Sequence, residues 1–157
     1  MEIEKIRINF ATGINLIGKM VKFQPIVKQT GKSAAWLSFK ISGERSLSEE
    51  DVSLINKAVW AVGNTLINVR VSLTEPNEKG SPAEGENIID QLKSLKKYIC
   101  MAYIYESSLG KNKAWFDNRT GPQAKAGRYS FKEEDAIGIN MAIAEIGQKL
   151  SSIELTL

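Results

Sequence analysis

The sequence predicts an α+β fold made of two copies of an antiparallel β-sheet unit, each followed by a helix and related by a pseudo-twofold axis. The first observation is an internal repeat. Residues 46–73 align without gaps on residues 130–157, and ten of the 28 positions are identical. The second observation is that apolar residues change, within each copy, from helical spacing to strict alternation.

The first part of each repeated segment predicts a helix, because apolar residues recur there every three or four positions. These are Val52, Ile55, Val59, Val62 and Leu66 in the first copy, and Ala136, Ile139, Ile143, Ile146 and Leu150 in the second. Ser48 and Asp51 form a capping-box pattern before the first helix. Lys132 replaces that serine in the second copy, where Ser130 is the candidate cap.

Strict alternation after each helix predicts half-buried strands. It covers Ile67 to Leu73 in the first copy and Ile153 to Leu157 in the second. Ile6, Ile8 and Phe10 alternate in the same way and predict an opening strand.

Two related hexapeptides, residues 31–36 (GKSAAW) and 110–115 (GKNKAW), extend the repeat upstream. Each follows a stretch rich in β-formers, residues 14–23 and 98–106 respectively. We therefore expect each hexapeptide to contain the turn of a β-hairpin.

The polar segment Thr74–Gly85 separates the copies with two prolines and two glycines. We expect a single domain over residues 1–157, in which repeats 1–73 and 92–157 flank a linker at 74–91. Apolar spacing also suggests a short helix within residues 87–97.

Composition narrows the class of protein. The chain of 157 residues is 43% hydrophobic, which is enough for a packed core, and none of its apolar runs reaches the length of a membrane helix. With a lone Cys100, we expect no disulfide within a monomer and an intracellular protein, whether cytoplasmic, nucleoid-associated or virus-encoded. The chain contains no histidine, so we expect no enzyme activity, no cofactor and no metal site.

Positive charge collects in the two predicted hairpin regions. Residues 11–43 contain no acidic residue, and residues 107–132 contain Asp117 alone. The candidate ligand-binding cations are Lys19, Lys22, Lys28, Lys32 and Lys40 in the first region, and Lys111, Lys113, Arg119, Lys125 and Arg128 in the second.

Aromatic residues accompany this charge. If residues 35–41 form a strand, Trp36 and Lys40 share its solvent face, and Trp115 occupies the matching place in the second copy. Tyr103 and Tyr105 would extend that face. Aromatic platforms among lysines bind single-stranded nucleic acid, because bases stack on the rings while the cations track phosphates.

Duplicated units of curved antiparallel strands with a helix resemble the Whirly and PUR-domain proteins. The resemblance implies binding of single-stranded DNA or RNA across the sheet surfaces. We expect a single-stranded nucleic-acid-binding protein of replication, repair or transcription, with DNA favoured over RNA. The alternative is a protein-interaction or structural module, such as an accessory or viral assembly factor, that uses the basic face for an acidic partner.

Two further expectations concern the surface. We expect a homo-oligomer, because predicted sheet edges need covering. Trp60 lies off the apolar stripe of its helix, so it is either packed under a neighbouring segment or part of a partner contact.

Overall fold

The computed structural model describes residues 5–73, 86–121 and 130–157, and these residues are predominantly helical. The predicted antiparallel sheets are wrong. The described residues form one sheet of two short parallel strands, β1 (Ile6–Asn9) and β2 (Ile153–Thr156), with Ile6 opposite Ile153. The prediction that Ile6 opens the chain's first strand is correct, but Phe10 already belongs to a helix.

The helices follow in chain order. They are α1 (Phe10–Met20), α2 (Gln24–Thr30), α3 (Ala34–Ser42), α4 (Glu49–Ile67), α5 (Glu86–Leu95), a π-helix (Tyr103–Ser108), α6 (Lys113–Thr120) and α7 (Glu133–Ser152). None of the described helices is both long enough and apolar enough to cross a membrane.

Helix α3 replaces the predicted third strand because capping groups outweigh a short alternating pattern. Ser33 accepts a hydrogen bond from the amide of Trp36 at the N-terminus, and Gly43 adopts a left-handed conformation at the C-terminus. Of the alternating residues, Leu37 alone is buried, whereas Phe39 is half-buried and Ile41 is exposed. The alternation of residues 35–41 was therefore not evidence of a strand with one buried face.

Helix α1 occupies most of the stretch predicted to be β-rich. Its buried residues Phe10, Ile14 and Ile17 are spaced four and three apart, which is helical periodicity. Asn9 caps its first turn through a hydrogen bond from the Ala11 amide. The second stretch, at 98–106, contains part of the π-helix instead of a strand.

The long helices predicted in the two repeated segments are confirmed as α4 and α7. All ten residues of the two predicted stripes are buried. The capping box of Ser48 and Asp51 is present at α4. At α7 the carboxylate of Asp135 accepts the main-chain N–H of Lys132, which preserves half of that arrangement.

The chain divides into two compact units whose boundaries differ from those of the repeats. The first unit contains residues 1–68 and 144–157, and the second contains residues 69–143. The short helix predicted within 87–97 is present as α5, so the end of the predicted linker is helical. The remainder of that linker, residues 74–85, lies outside the described residues.

In the first unit, α4 holds the free edge of β2 with side chains. The buried amide of Asn56 donates to the carbonyl of Leu155 at 3.0 Å and accepts from its N–H at 2.8 Å. The indole N–H of Trp60 donates to the carbonyl of Ile153 at 2.6 Å. Trp60 is therefore packed within its own unit, with the Lys5 ammonium 4.3 Å from its ring centroid.

Close helix packing explains the glycines shared by the repeats. A Cβ atom on Gly63 would lie 2.8 Å from the carbonyl oxygen of Gly147, and a Cβ on Gly147 would meet Gly63 in return. The backbones of α4 and α7 approach too closely at this point for any larger residue.

In the second unit, the segment after α4, residues 69–73, is not a strand of a sheet. Asn140 of α7 donates to the carbonyl of Val71 at 2.9 Å and accepts from its N–H at 2.7 Å. Gln91 of α5 makes the same pair of bonds to Ser72. Side-chain amides thus take the place of the neighbouring strands that were predicted here.

Candidate nucleic-acid interface

The first GK hexapeptide connects two helices. Thr30 ends α2, and its buried hydroxyl donates to the Val27 carbonyl and accepts from the Lys32 amide. Gly31 follows with φ 74°, a left-handed conformation that a side chain would strain. Ser33 then caps α3. We call residues 31–36 the first Lys–Trp turn.

The indole of Trp36 is close to two cations. The ammonium of Lys32 is 5.9 Å from the ring centroid, and that of Lys40 is 5.8 Å from it. Both distances are within the range of cation–π attraction. The ring is half-buried, and Lys32 is exposed one residue before the Ser33 cap of α3.

The two lysines of this cluster have different roles. Lys40 forms an ion pair with Asp51 at 2.8 Å and donates to the Ser46 carbonyl at 2.6 Å. The hydrogen bond from Lys40, with a further one from the main-chain N–H of Ser48, lowers the pKa of Asp51 to about 2. Lys40 therefore ties α3 to the start of α4, and Lys32 is the lysine that remains exposed.

The second GK hexapeptide builds the same arrangement before α6. Gly110 has φ 67°, and Asn112 accepts from the Trp115 amide at 2.8 Å. The Lys111 ammonium is 5.8 Å from the Trp115 centroid, and the Arg119 guanidinium is 4.6 Å from it. We call residues 110–115 the second Lys–Trp turn. Arg119 stands where the first copy has Lys40, four residues after the tryptophan.

Other contacts make Trp115 part of a small aromatic cluster in the second unit. Phe131 meets it edge-on at 5.7 Å between centroids, and Phe116 stacks on Tyr105 at 5.1 Å. Tyr105 is buried, so its predicted place on an exposed platform is wrong. Tyr103 is half-buried on the π-helix.

Helix α6 carries an ion pair that the first copy lacks. The ammonium of Lys113 is 2.7 Å from the carboxylate of Asp117, one helical turn away. This hydrogen bond and the charge of Asp117 raise the pKa of Lys113. The first copy has Ala34 and Ser38 at the corresponding positions, and both are exposed.

Both helices after the turns present open surfaces. Leu37 is the one buried residue of α3, and no residue of α6 is buried. Lys19, Lys22 and Lys28 are exposed on or near α1 and α2. Lys125 and Arg128, the remaining predicted site residues, lie outside the described residues.

The structure therefore groups the predicted residues differently from the sequence. Trp36 and Trp115 lie on helices, and each is paired with its own cations instead of facing an open sheet. Sequence reasoning missed Ser33 and Asn112, which cap the helices. The signal that could have identified them is the residue type after each Gly-Lys pair, because serine and asparagine favour the N-cap position of a helix.

Within the described parts of the chain, no group of histidine, cysteine or acidic residues is arranged to hold a metal ion. Comparison of the chain with protein-family models, with curated proteins and with solved structures gives no match. The antiparallel sheets that motivated the Whirly and PUR-domain resemblance do not occur among the described residues.

Proposed function

We propose that this protein binds nucleic acid through its two Lys–Trp turns, with duplex DNA preferred over a single strand. The observation that carries the proposal is the recurrence of one arrangement: a helix (α2 in the first copy, the π-helix in the second), a left-handed glycine, an exposed lysine, a polar cap and a helix with at most one buried residue. Two helices joined by a short glycine-containing turn are the elements of a helix–turn–helix motif. In such motifs the second helix enters the major groove with its N-terminal residues foremost.

The charge and exposure of the two Lys–Trp turns and of the helices after them also favour nucleic-acid binding. Lys32 and Lys111 directly precede the exposed helices, where a cation and helix N–H groups can contact phosphates together. Ala34, Ala35 and Ser38 are small and exposed, so the backbone of α3 can approach a groove closely. Such small side chains offer little base-specific hydrogen bonding, and we expect weak sequence preference.

Duplex DNA is preferred over the single strand because the described residues do not form the predicted stacking platform. The half-buried rings of Trp36 and Trp115 already face cations, and Tyr105 is buried. A helix with one exposed face instead fits the major groove, which is wide enough to admit an α-helix.

Fluorescence anisotropy tests the proposal with a labelled duplex and with one of its strands, across a salt series. We expect tighter binding to the duplex and a linear fall of log K with log salt concentration. Lys32→Ala should reduce the slope by about one phosphate contact. Lys57→Ala, which removes an exposed lysine from the middle of α4, is the matched control and should leave the slope unchanged.

Tighter binding to the single strand would reverse the duplex preference. An absence of binding to either form at low salt would overturn the proposal and leave an acidic protein partner as the better explanation of the charge.

A further inference from the structure

The helices that the two Lys–Trp turns begin, α3 and α6, differ in one exposed ion pair. Alignment of the hexapeptides places Lys113 opposite Ala34, and its continuation into α3 and α6 places Asp117 opposite Ser38. In the first unit these positions are uncharged. In the second unit they form an ion pair on the exposed helix that corresponds to α3.

We propose that Asp117 acts as a built-in competitor of phosphate, so that the second Lys–Trp turn contributes less to nucleic-acid binding than the first. The inference rests on the proposed function and concerns regulation of the same site. The Asp117 carboxylate already occupies the Lys113 ammonium at 2.7 Å. A phosphate must displace it and then lie beside its negative charge.

The magnitudes permit this competition. The side chains of Lys113 and Asp117 are 75% and 55% exposed. An exposed ion pair of this kind is weak, because water screens both charges. The pair is therefore easily opened, and its main effect on binding comes from the carboxylate charge that remains beside the ligand. Charges at the rim of an interface act on association and salt dependence in this way.

Arg119, the other cation near the second Lys–Trp turn, does not compensate for the Lys113–Asp117 ion pair. Arg119 lies against the Trp115 ring and donates to the Trp115 carbonyl at 3.1 Å. Lys111 is thus left as the exposed counterpart of Lys32. In the first unit, no carboxylate among the described residues forms an ion pair with Lys28 or Lys32.

A reciprocal exchange between the copies tests the proposal. Asp117→Ser installs the first copy's residue in the second, and Ser38→Asp does the reverse. We expect D117S to bind duplex DNA several-fold more tightly, with a salt slope steeper by about one contact as Lys113 becomes available. S38D should bind more weakly, because its carboxylate has no lysine one turn earlier.

A second ion pair supplies the control for net charge. Glu145 and Lys149 pair at 2.9 Å on α7 with the same spacing and similar exposure. Glu145→Ser removes one negative charge, as D117S does, but away from both turns in the sequence. We expect E145S to bind like the unmodified protein, and circular dichroism should show that all three variants remain folded.

The outcomes separate this inference from the proposed function. If the unmodified protein binds no duplex, the proposed function fails and the inference fails with it. If it binds and Lys32→Ala weakens it, but D117S has no effect or E145S has an equal one, the inference alone is overturned.

Discussion

At the scale of single residues, two asparagines hold the segments that end the two repeats. Asn56 satisfies both main-chain groups of Leu155, and Asn140 satisfies those of Val71. The two asparagines are 84 residues apart in the sequence, and so are the two residues that they hold. Each repeat's helix therefore binds the segment that follows the other repeat's helix.

Replacement of Asn56 by alanine should destabilise the protein strongly. The change leaves a buried N–H and a buried C=O of Leu155 without their partner, at a cost of about 2–4 kcal/mol in the free energy of unfolding. Asn140→Ala is the matched comparison. It should cost less, because Asn140 is half-buried and water can replace part of its amide. Urea denaturation measures both values, and equal losses would contradict this account.

The sequence showed that the two asparagines recur but not which residues they bond. The identical Ile-Asn pairs at 55–56 and 139–140 were visible as part of the repeat. Their acceptors were not, since Asn56 bonds a residue 99 positions away. A polar residue on an apolar stripe shows that a partner is needed, but local periodicity cannot say which residue provides it.

At the scale of secondary-structure elements, helical periodicity over several turns predicted correctly, whereas alternation over a few residues gave mixed results. Alternation identified β1 and β2, but it failed at residues 35–41 and 67–73. The stripes of α4 and α7 extend over several turns, and both helices formed as expected. Residues 35–41 alternate over too few positions to outweigh Ser33 and Gly43, which cap a helix there. The same misreading predicted hairpins where the structure has turns between helices. It therefore placed the expected site on a sheet, whereas Trp36 and Trp115 lie on helices.

The junction between α3 and α4 should respond to acid. Asp51 has a pKa of about 2 in the folded protein, below its ordinary value of 3.8, because Lys40 and the Ser48 amide bond its carboxylate. A group with a depressed folded pKa stabilises the protein above its unfolded pKa and loses that contribution as pH falls through the folded value. The contribution should thus be complete above about pH 4 and disappear toward pH 2.

Asp51→Asn isolates this effect. We expect the variant to be less stable than the unmodified protein at neutral pH and the difference to shrink between pH 4 and pH 2. Urea midpoints measured across this range for both proteins test the expectation. A difference that stays constant as the pH falls would show that Asp51 contributes no acid-dependent stability.

At the scale of the whole molecule, the compact units do not coincide with the sequence repeats. The first unit needs both ends of the chain, because β1 pairs with β2 and Asn56 and Trp60 bond β2 as well. The second unit is one continuous segment, residues 69–143. Self-similarity finds what was duplicated, whereas contacts between distant segments decide what folds together.

Two fragments of nearly equal length distinguish these descriptions. Residues 1–73 form the first repeat, but they lack β2 and the part of α7 that belongs to the first unit. In this fragment β1 has no partner strand, and the buried amide of Asn56 and the indole N–H of Trp60 lose their acceptors. Residues 69–143 keep the whole second unit, including the bonds from Asn140 to Val71 and from Gln91 to Ser72.

We expect 69–143 to unfold cooperatively in urea and 1–73 to show no cooperative transition, as followed by far-ultraviolet circular dichroism. Both fragments are close to the lower size limit for an independent core. The test therefore compares the cooperativity of the two fragments and does not depend on the absolute stability of either one. A cooperative transition for 1–73 but none for 69–143 would mean that the repeat, and not the compact unit, is the unit of folding.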